Sequence, residues 1–290
     1  MTAAMITDLS CLSCQVRMVS DVITAHLGQQ PERAQAAMRC ALRLLAEADL
    51  DQPPPQIAGL VQRGIRHLVG PDPYRAYKDR STALALDLLP RLRTRLAAAV
   101  DPLALALRLA AAGNLIDAGV HGTLPEAAIC TALDTVDHRD LDPEGVAGFV
   151  QAAATAERIL YLADNAGELV LDRLLIEVLG PQRVTLVLRG APILNDATRE
   201  DLAASGIPAD WTVLDNGHDA PGTVLAQCRP QLRQAFAAAD LVISKGQGNY
   251  ETLSGCGRPV FFLFTVKCAA IAGRTGLPIG SPVASFAVDF

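Results

Sequence analysis

The segment ILYLADNAGELVLD, residues 159–172, places an apolar run directly before the polar group DNAGE at residues 164–168. A short apolar run that ends in turn-forming residues is typical of a buried β-strand. The following residues, ELVLDRLLIEVLG, recur at helical spacing and predict a helix. The segment therefore predicts a strand, a loop and a helix. Asp164 and Asn165 in the loop either cap the helix or face a cleft as ligands.

Similar apolar runs follow this segment along the second half of the chain. After the first run at 158–163, they lie at 183–190, 211–217, 239–249 and 259–266, separated by helical stretches such as NDATREDLAASG and GTVLAQCRPQLRQAFAAA. Strands that alternate with helices indicate a parallel sheet that is covered on both faces. The prediction is an α/β fold, in which a Rossmann-like core has a largely parallel sheet flanked by helices.

The first half of the chain is predicted to be mainly helical. Alanine, leucine and arginine recur at helical spacing in PERAQAAMRCALRLLAEADL and in STALALDLLPRLRTRLAAAVDPLALALRLAAAG. Pro90 and Pro102 are expected to interrupt the second of these segments. We predict a helical N-terminal subdomain at 1–150 and an α/β core at 151–290, together forming one compact unit.

The bulk composition limits the class of protein. The 290 residues are 50% hydrophobic and 19% charged, as in globular rather than disordered proteins. A formal net charge of -6 without a basic tract argues against nucleic acid or a membrane surface as partner. The sequence has no apolar run of membrane-spanning length, no signal-peptide pattern and seven scattered cysteines. We therefore expect a cytoplasmic protein with reduced thiols.

Polar side chains follow the predicted strands. Asp164 and Asn165 follow the first strand, Asp196 follows the second, and Lys245 follows the fourth. Ligands of open α/β sheets bind at the carboxyl ends of the strands, so we expect these side chains to face one crevice. Two carboxylates and an amide oxygen suit Mg²⁺ or Mn²⁺. Because Lys245 lies in a glycine-flanked turn that suits an anion, the set indicates a metal-assisted phosphoryl site.

Each of these residues also has a purely structural interpretation. Asp164, Asn165 and Asp196 are suited to capping helices, and GQGN at 246–249 is also common as a simple turn. Arg189, at the end of the second strand, either pairs with a carboxylate or binds a phosphate. The sequence lacks GxxxxGK[ST], and no GxGxxG follows the first strand, which disfavours a P-loop NTPase or an NAD enzyme. Acids, amides and a lysine at successive strand ends favour the functional interpretation.

Longer motifs extend through nearly the whole chain. They are CLSC, DPYRAYK, AAAGNLIDAG, YLADNAGELVLDRLLIE, VLRGAPILNDATREDL, DNGHDAPGT, ADLVISKGQGNYETLSG and FLFTVKCAAIA. With these motifs the chain resembles the damage-control phosphatase family in its short prokaryotic form. The family's domain is also called domain of unknown function 89, or acidic-residue methyltransferase-like. The resemblance implies a divalent-metal-dependent phosphatase that acts on small phosphorylated metabolites, sugar phosphates among them.

The resemblance also implies roles for individual residues. The family's metal ligands match Asp164, Asn165 and Asp196, and its phosphate-contacting lysine matches Lys245. A motif on the helical side of the cleft matches residues 114–117, whose polar side chains would touch substrate hydroxyls or the metal's waters. The predicted catalytic residues are Asp164, Asp196 and Lys245; the predicted substrate-binding residues are Asn114, Asp117, Glu168, Arg189, Gly246 and Asn249.

The leading hypothesis is a phosphatase for a small phosphorylated metabolite. Mg²⁺ or Mn²⁺ is the expected cation, with Co²⁺ or Ni²⁺ as further options. Water attacks phosphorus in the simplest mechanism, whereas in the alternative Asp164 attacks and forms an aspartyl-phosphate. Two other classes remain: a methyltransferase that uses S-adenosylmethionine on carboxylates, disfavoured because no glycine-rich loop for this donor is recognisable, and a non-catalytic metal or metabolite-binding protein. The sequence leaves the oligomeric state open.

Two motifs of the first half have further interpretations. Cys11 and Cys14 have metal-ligand spacing but no second CxxC, so a structural metal would need Cys268 and Cys40 or a histidine as added ligands. Reduced, partly buried thiols are the simpler interpretation. In DPYRAYK, Lys78 at a capped helix start is expected to be exposed. The family resemblance suggests instead that this segment lines the cleft or pins the two subdomains together.

Overall fold

Six β-strands form one sheet in the second half of the chain. The computed structural model describes residues 5–113, 131, 133, 136 and 141–286. The strands are Ile159–Leu162 (β1), Val184–Leu188 (β2), Thr212–Asp215 (β3), Leu241–Lys245 (β4), Phe261–Thr265 (β5) and Pro282–Phe286 (β6). Their order is β3-β2-β1-β4-β5-β6, with β1 to β5 parallel and β6 antiparallel to β5. The predicted α/β class with a largely parallel sheet is confirmed.

The edge strand β6 is not among the predicted strands. Its sequence, PVASF, begins with a proline and contains an alanine, and both residue types are depleted in strands. The proline is tolerated because it is the first residue of an edge strand. Val283 and Ala284 are buried, and the ring of Phe286 lies 5.1 Å from that of Phe261 on β5. Pairing and packing with β5 therefore form this strand, rather than its local sequence.

Many of the described helices begin at a proline or directly after an aspartate that caps the first turn. They are Leu9–Leu27 (α1), Pro31–Ala46 (α2), Pro54–Val69 (α3), Arg75–Ala97 (α4), Pro102–Ala111 (α5), Pro143–Thr155 (α6), Leu169–Leu179 (α7), Asp201–Ala204 (α8), Pro230–Ala238 (α9), Gln247–Leu253 (α10) and Ala269–Thr275 (α11). Asp8, Asp101 and Asp142 accept hydrogen bonds from first-turn N–H groups of α1, α5 and α6. Among the described residues, no helix is both long and apolar enough to cross a membrane.

The helical segment is interrupted before Pro102 as expected, and α5 begins there, but the predicted interruption at Pro90 is wrong. α4 continues through Pro90 from Arg75 to Ala97. Pro90 is exposed, so the carbonyl that loses its helical partner can be hydrated. Leu88, Leu89 and Leu92 around it are buried in the core. Packing of this apolar face holds the helix together across the proline.

Helices cover both faces of the sheet. On one face α4, α5, α6 and α7 pack over a core that includes Ile243 and Phe261. On the other face α9, α10 and α11 pack over Val242 and Phe262. The helices α1, α2 and α3 enclose a separate core around Val61, and α3 also contacts α10. The division of the chain at residue 150 stays a prediction.

The start of α4 joins the α1–α3 cluster to the α/β core. Lys78 is fully buried, and its Nζ lies 3.2 Å from Asp72 Oδ2 and 3.4 Å from Asp201 Oδ2 in α8. Tyr74 packs against the α1–α3 core, where burial and then the charge of Asp21 raise the pKa of its hydroxyl to about 12. The expectation of an exposed lysine is wrong, and the contacts agree with the alternative in which this segment pins the two parts together.

Lys78→Met is expected to lower the free energy of unfolding by about 3 kcal/mol, because it leaves the buried Asp201 carboxylate without its ammonium partner. Arg75, whose Nη2 lies 2.6 Å from Asp201 Oδ1, keeps the loss at the lower end of the range for broken buried pairs. Urea denaturation at pH 7 measures the effect. The control Asp79→Ala removes an exposed partner of Arg75 and should change stability by less than about 0.5 kcal/mol. Equal losses in both variants would contradict the role given to Lys78.

Candidate active site

The candidate site lies where the strand order reverses. After β1 the chain continues to β2 on one side, whereas β4 lies on the other side of β1. The loops that follow β1 and β4 therefore diverge and leave a crevice at the carboxyl ends of the strands. Asp164 and Asn165 follow β1, and Gly246 follows β4. Both sides of the crevice thus carry predicted site residues.

Backbone hydrogen bonds hold the loop after β1 against the loop after β2. Asn165 and Asp196 form an antiparallel bridge, and the Ala197 N–H donates to the Asp164 carbonyl over 2.7 Å. Leu194, just before this bridge, has φ 45°, which is unusual for a residue other than glycine. Such strain is often found at functional sites. The bridge and the strained turn bring the three predicted metal ligands together.

Asp164, Asn165 and Asp196 form the floor of a cavity of about 320 Å³. The floor comes from the α/β core, but helices of the first half cover the cavity. Its other walls include Cys11 and Cys14 of α1, Pro54, Pro55 and Ala58 of α3, and Gln247, Glu251, Lys267 and Cys268 from the segments after β4 and β5. The cavity is therefore shared between parts of the chain that are far apart in sequence.

The two carboxylates of the cavity floor are buried and close enough to affect each other's pKa. The pKa of Asp164 is raised well above its ordinary value, first by burial and then by the charges of Asp196 and Glu168. Burial also raises the pKa of Asp196, although Arg189 opposes this shift. A divalent cation would relieve the repulsion among these carboxylates. Two carboxylates and an amide oxygen are hard donors, so the floor fits Mg²⁺ or Mn²⁺.

Arg189 connects the two acids of the floor from below. Its Nε donates to Asp196 Oδ2 over 2.6 Å, and its Nη2 lies 3.5 Å from Asp164 Oδ1. Nη1 donates to Asn249 Oδ1 over 3.1 Å and to Thr223 Oγ1 over 3.3 Å. The side chain is buried, and all three of its nitrogens have partners. This geometry agrees with the carboxylate-pairing interpretation, while a phosphate contact by Arg189 stays a prediction.

Lys245 lies beneath the floor and pairs with two carboxylates of the helix α7 segment. Its Nζ lies 2.8 Å from Glu168 Oε2 and 2.5 Å from Asp172 Oδ1. Burial alone would lower the pKa of Lys245, but Asp172 and Glu168 raise it above its ordinary value. Burial raises the pKa of Asp172 to about 6 against the effect of Lys245. The described cavity walls do not include Lys245, and its contact with phosphate stays a prediction.

Gly246 and Asn249 hold the end of β4 close to the end of β1. Gly246 has φ 81°, and a Cβ atom at this position would lie 2.1 Å from Asp164 Oδ2. Only glycine allows this approach without displacing the acid. Asn249 Nδ2 donates to the Ala163 carbonyl over 3.2 Å and to the Lys245 carbonyl over 2.8 Å. Both residues shape the floor, and direct substrate contacts by them stay predictions.

Lys267 is a cavity residue to which the sequence reasoning gave no role. It is exposed and lines the cavity, and its charge lowers the pKa values of Asp164, Asp196 and Glu251. Burial raises the pKa of Glu251 to about 7 despite Gln247 and Lys267. The signal in the sequence is a lysine directly after the fifth predicted strand. The predicted residues Asn114 and Asp117 lie outside the described residues.

Three cysteines line the cavity. They are Cys11, Cys14 and Cys268, whereas Cys40 donates its thiol to the Gly64 carbonyl elsewhere. Burial raises the pKa of the Cys11 and Cys14 thiols. The cysteines of the described ranges are free, and no group of three or more His, Cys, Asp or Glu side chains in those ranges has the arrangement of a metal site. The choice between reduced thiols and a structural metal stays a prediction.

Known proteins resemble this chain in sequence and in fold. Residues 7–283 match the damage-control phosphatase ARMT1-like domain. A damage-control phosphatase of Pyrococcus horikoshii is 31% identical over 281 residues, covering 95% of each chain. One of Archaeoglobus fulgidus is 32% identical over 255 residues, covering 84% of this chain and 86% of that one. A crystal structure of the Pyrococcus protein, described as a DUF89 family protein, has a TM-score of 0.87 at 27% identity and covers 97% of this chain and 99% of that chain.

Proposed function

Because the chain belongs to the family of damage-control phosphatase ARMT1-like domains, we propose that it hydrolyses the phosphate ester of a small metabolite with the help of a divalent cation. Two relatives that are at least 31% identical to it are named damage-control phosphatases, which supports phosphatase activity. The cavity of about 320 Å³ suits a small substrate, since it lies near the lower end of ligand pocket sizes.

The observation that carries this proposal is the pair of buried carboxylates that lies beside one amide at the switch point of the sheet. Asp164, Asn165 and Asp196 would hold the cation through oxygen atoms. When bound there, such an ion supplies positive charge for the phosphate oxygens and promotes ionisation of a water nucleophile. Mg²⁺ and Mn²⁺ are the ions we expect, and Co²⁺ and Ni²⁺ are to be tested beside them.

Residues of the chain supply the rest of the chemistry. Arg189 holds the two acids of the floor in position. Lys267 provides an exposed ammonium at the cavity wall, where it can bind the phosphate oxygens of the substrate. Glu251, which accepts a hydrogen bond from Gln247 over 2.8 Å, lines the same wall and has a pKa of about 7. We assign to Glu251 the protonation of the leaving oxygen, since a carboxyl group with this pKa is partly protonated at neutral pH.

A screen against phosphorylated metabolites tests the proposed function. We expect chelator-treated protein to release no phosphate, and Mg²⁺ or Mn²⁺ to restore the release. Full activity in the presence of chelator would exclude a requirement for a divalent cation. If no phosphoester released phosphate, phosphatase activity would be excluded. Rapid acid quenching with labelled substrate separates the two routes. If the label is found on Asp164, the reaction follows the aspartyl-phosphate route and not direct attack by water.

Lys267→Met is expected to raise KM by about 10- to 100-fold, because a charge-assisted hydrogen bond to the phosphate is lost. The kcat should change less, since the acids of the floor remain. Steady-state phosphate release and inhibition by vanadate measure the two effects. Lys267→Arg keeps the charge and should recover most of the binding. An unchanged KM in Lys267→Met would remove Lys267 from the site.

A further inference from the structure

A line of buried polar side chains runs from the cavity floor into the core. We call the residues Asn165, Glu168, Lys245, Asp172 and Tyr161 the buried polar chain. Asn165 Nδ2 donates to Glu168 Oε1 over 2.9 Å, and Lys245 Nζ donates to Glu168 Oε2 over 2.8 Å. Lys245 also donates to Asp172 Oδ1 over 2.5 Å, and the Tyr161 hydroxyl donates to the same oxygen over 2.7 Å. Only the first member, Asn165, lines the described part of the cavity.

The orientation of the Asn165 amide follows from its partner. A carboxylate that pairs with an ammonium group offers acceptors only, so Glu168 requires a donor from Asn165. The Nδ2 group therefore faces Glu168, and the Oδ1 atom lies on the opposite side of the amide carbon. Because Asn165 belongs to the cavity floor, this orientation decides whether the floor presents an oxygen or an NH₂ group.

Lys245 keeps Glu168 in this state. The ammonium group has donors only, and it occupies the oxygen of Glu168 that Asn165 does not use. Asp172 holds Lys245 from the other side, and Lys245 is 2% exposed. A Cβ atom on Gly113 would lie 2.9 Å from Glu168 Oε2, so the backbone of the neighbouring helix end packs directly against this carboxylate. The contacts leave Glu168 little freedom to rotate.

We propose that Glu168 and Lys245 are positioning residues that turn the oxygen of the Asn165 amide toward the cleft and so prepare the floor for a divalent cation. The inference rests on the proposed function, because it concerns how the floor receives its cation. Lys245 acts through Glu168 in this arrangement, because it holds the carboxylate oxygen that Asn165 does not use. Outer partners of this kind fix the orientation of metal ligands and tune their affinity.

Glu168→Gln is expected to turn the Asn165 amide over. Lys245 can only donate, so it takes the carbonyl of the new amide, whose NH₂ group then faces Asn165. Asn165 must accept from this NH₂ group and presents its own to the cleft, where it repels a cation. The Kd for Mn²⁺ should rise by about 10- to 100-fold. Calorimetry of the full chain with Mn²⁺ alone, without substrate, measures this change independently of turnover.

Two further variants separate orientation from general stability. Asp172→Asn keeps an acceptor for Lys245 and Tyr161 and leaves the contact between Glu168 and Asn165 unchanged, so the Kd for Mn²⁺ should stay within about threefold. The double change Glu168→Gln with Asn165→Asp reverses the hydrogen bond. The new amide then accepts from Lys245 and donates to the new carboxylate, whose outer oxygen faces the cleft. This double variant should recover at least about tenfold of the lost affinity.

The outcomes distinguish the inference from the proposed function. If the wild type binds no Mn²⁺, the metal-dependent function fails. If the wild type binds Mn²⁺ and Glu168→Gln binds it equally well, only the positioning role fails. If Asp172→Asn loses as much Mn²⁺ affinity as Glu168→Gln, or if the double variant recovers none, the buried polar chain has a structural role only. If Lys245→Met keeps its Mn²⁺ affinity but loses inhibition by vanadate, Lys245 contacts phosphate and its positioning role is overturned.

Discussion

Asp164→Asn is expected to lower kcat about 10³-fold on any phosphoester that the wild type hydrolyses. The change removes one of the two charges that would hold the cation, and the new NH₂ group would repel it. The aspartyl-phosphate route loses its nucleophile through the same substitution, so both mechanisms predict the loss. Initial rates at saturating substrate and saturating Mn²⁺ measure the effect.

The same variant should be more stable than the wild type in the presence of chelator. Asp164 lies among the like charges of Asp196 and Glu168, and the amide removes one of these charges from a buried site. Asp215→Asn is the matched control, since Asp215 ends the edge strand β3 and pairs with the exposed Arg199 and Arg229. It should leave kcat within about twofold. Full activity in Asp164→Asn would remove Asp164 from the chemistry.

Arg189→Met is expected to lower the free energy of unfolding of chelator-treated protein by about 4 kcal/mol. The guanidinium is the close cationic partner of Asp196 and also approaches Asp164, so its loss leaves buried carboxylates unpaired. Urea denaturation measures the loss. If the cation binds the same acids, saturating Mn²⁺ should restore more stability to this variant than to the wild type.

Arg158→Met is the control for this prediction. Arg158 pairs with Asp240 at the protein surface, so its removal should change stability by less than about 0.5 kcal/mol. If Arg189→Met fails to fold, Arg189→Lys keeps a charge but loses the forked contacts, and a smaller loss in the same direction is expected. A stable Arg189→Met that gains nothing from Mn²⁺ would contradict a cation at the floor.

Hydrophobic runs predicted β1 to β5 and their parallel arrangement, because buried parallel strands are nearly continuous apolar segments. Local pattern was a poorer guide where tertiary hydrogen bonds compete with helix formation. In NDATREDLAASG the helix α8 spans only Asp201–Ala204, since the residues before it pair with other loops. Asp196 bridges Asn165, and Thr198 bridges Arg189. Bonds between segments this far apart cannot be recognised in a local pattern.

The sequence located the candidate site more reliably than it oriented the side chains. Asp164, Asn165 and Asp196 share one cavity because strand ends meet at one edge of the sheet. Leu241, Ile243 and Lys245 are alternate residues of β4, so their side chains point to the same face of the sheet. This is the face that α7 covers. The sequence shows that these three side chains share one face of the sheet, but it does not show which face borders the cleft. Glycines beside Lys245 therefore suggested an open turn where the side chain is buried.

The shared construction of the cavity affects how related proteins can diverge. The acids of the floor lie within residues 164–196, whereas walls such as Met18 and Ala58 come from helices α1 and α3. Substitutions in these helices alter the shape offered to a substrate's carbon skeleton without moving an acid. Mutations in the part of the gene that encodes α1 and α3 can thus change the substrate preference while the acids of the floor stay the same.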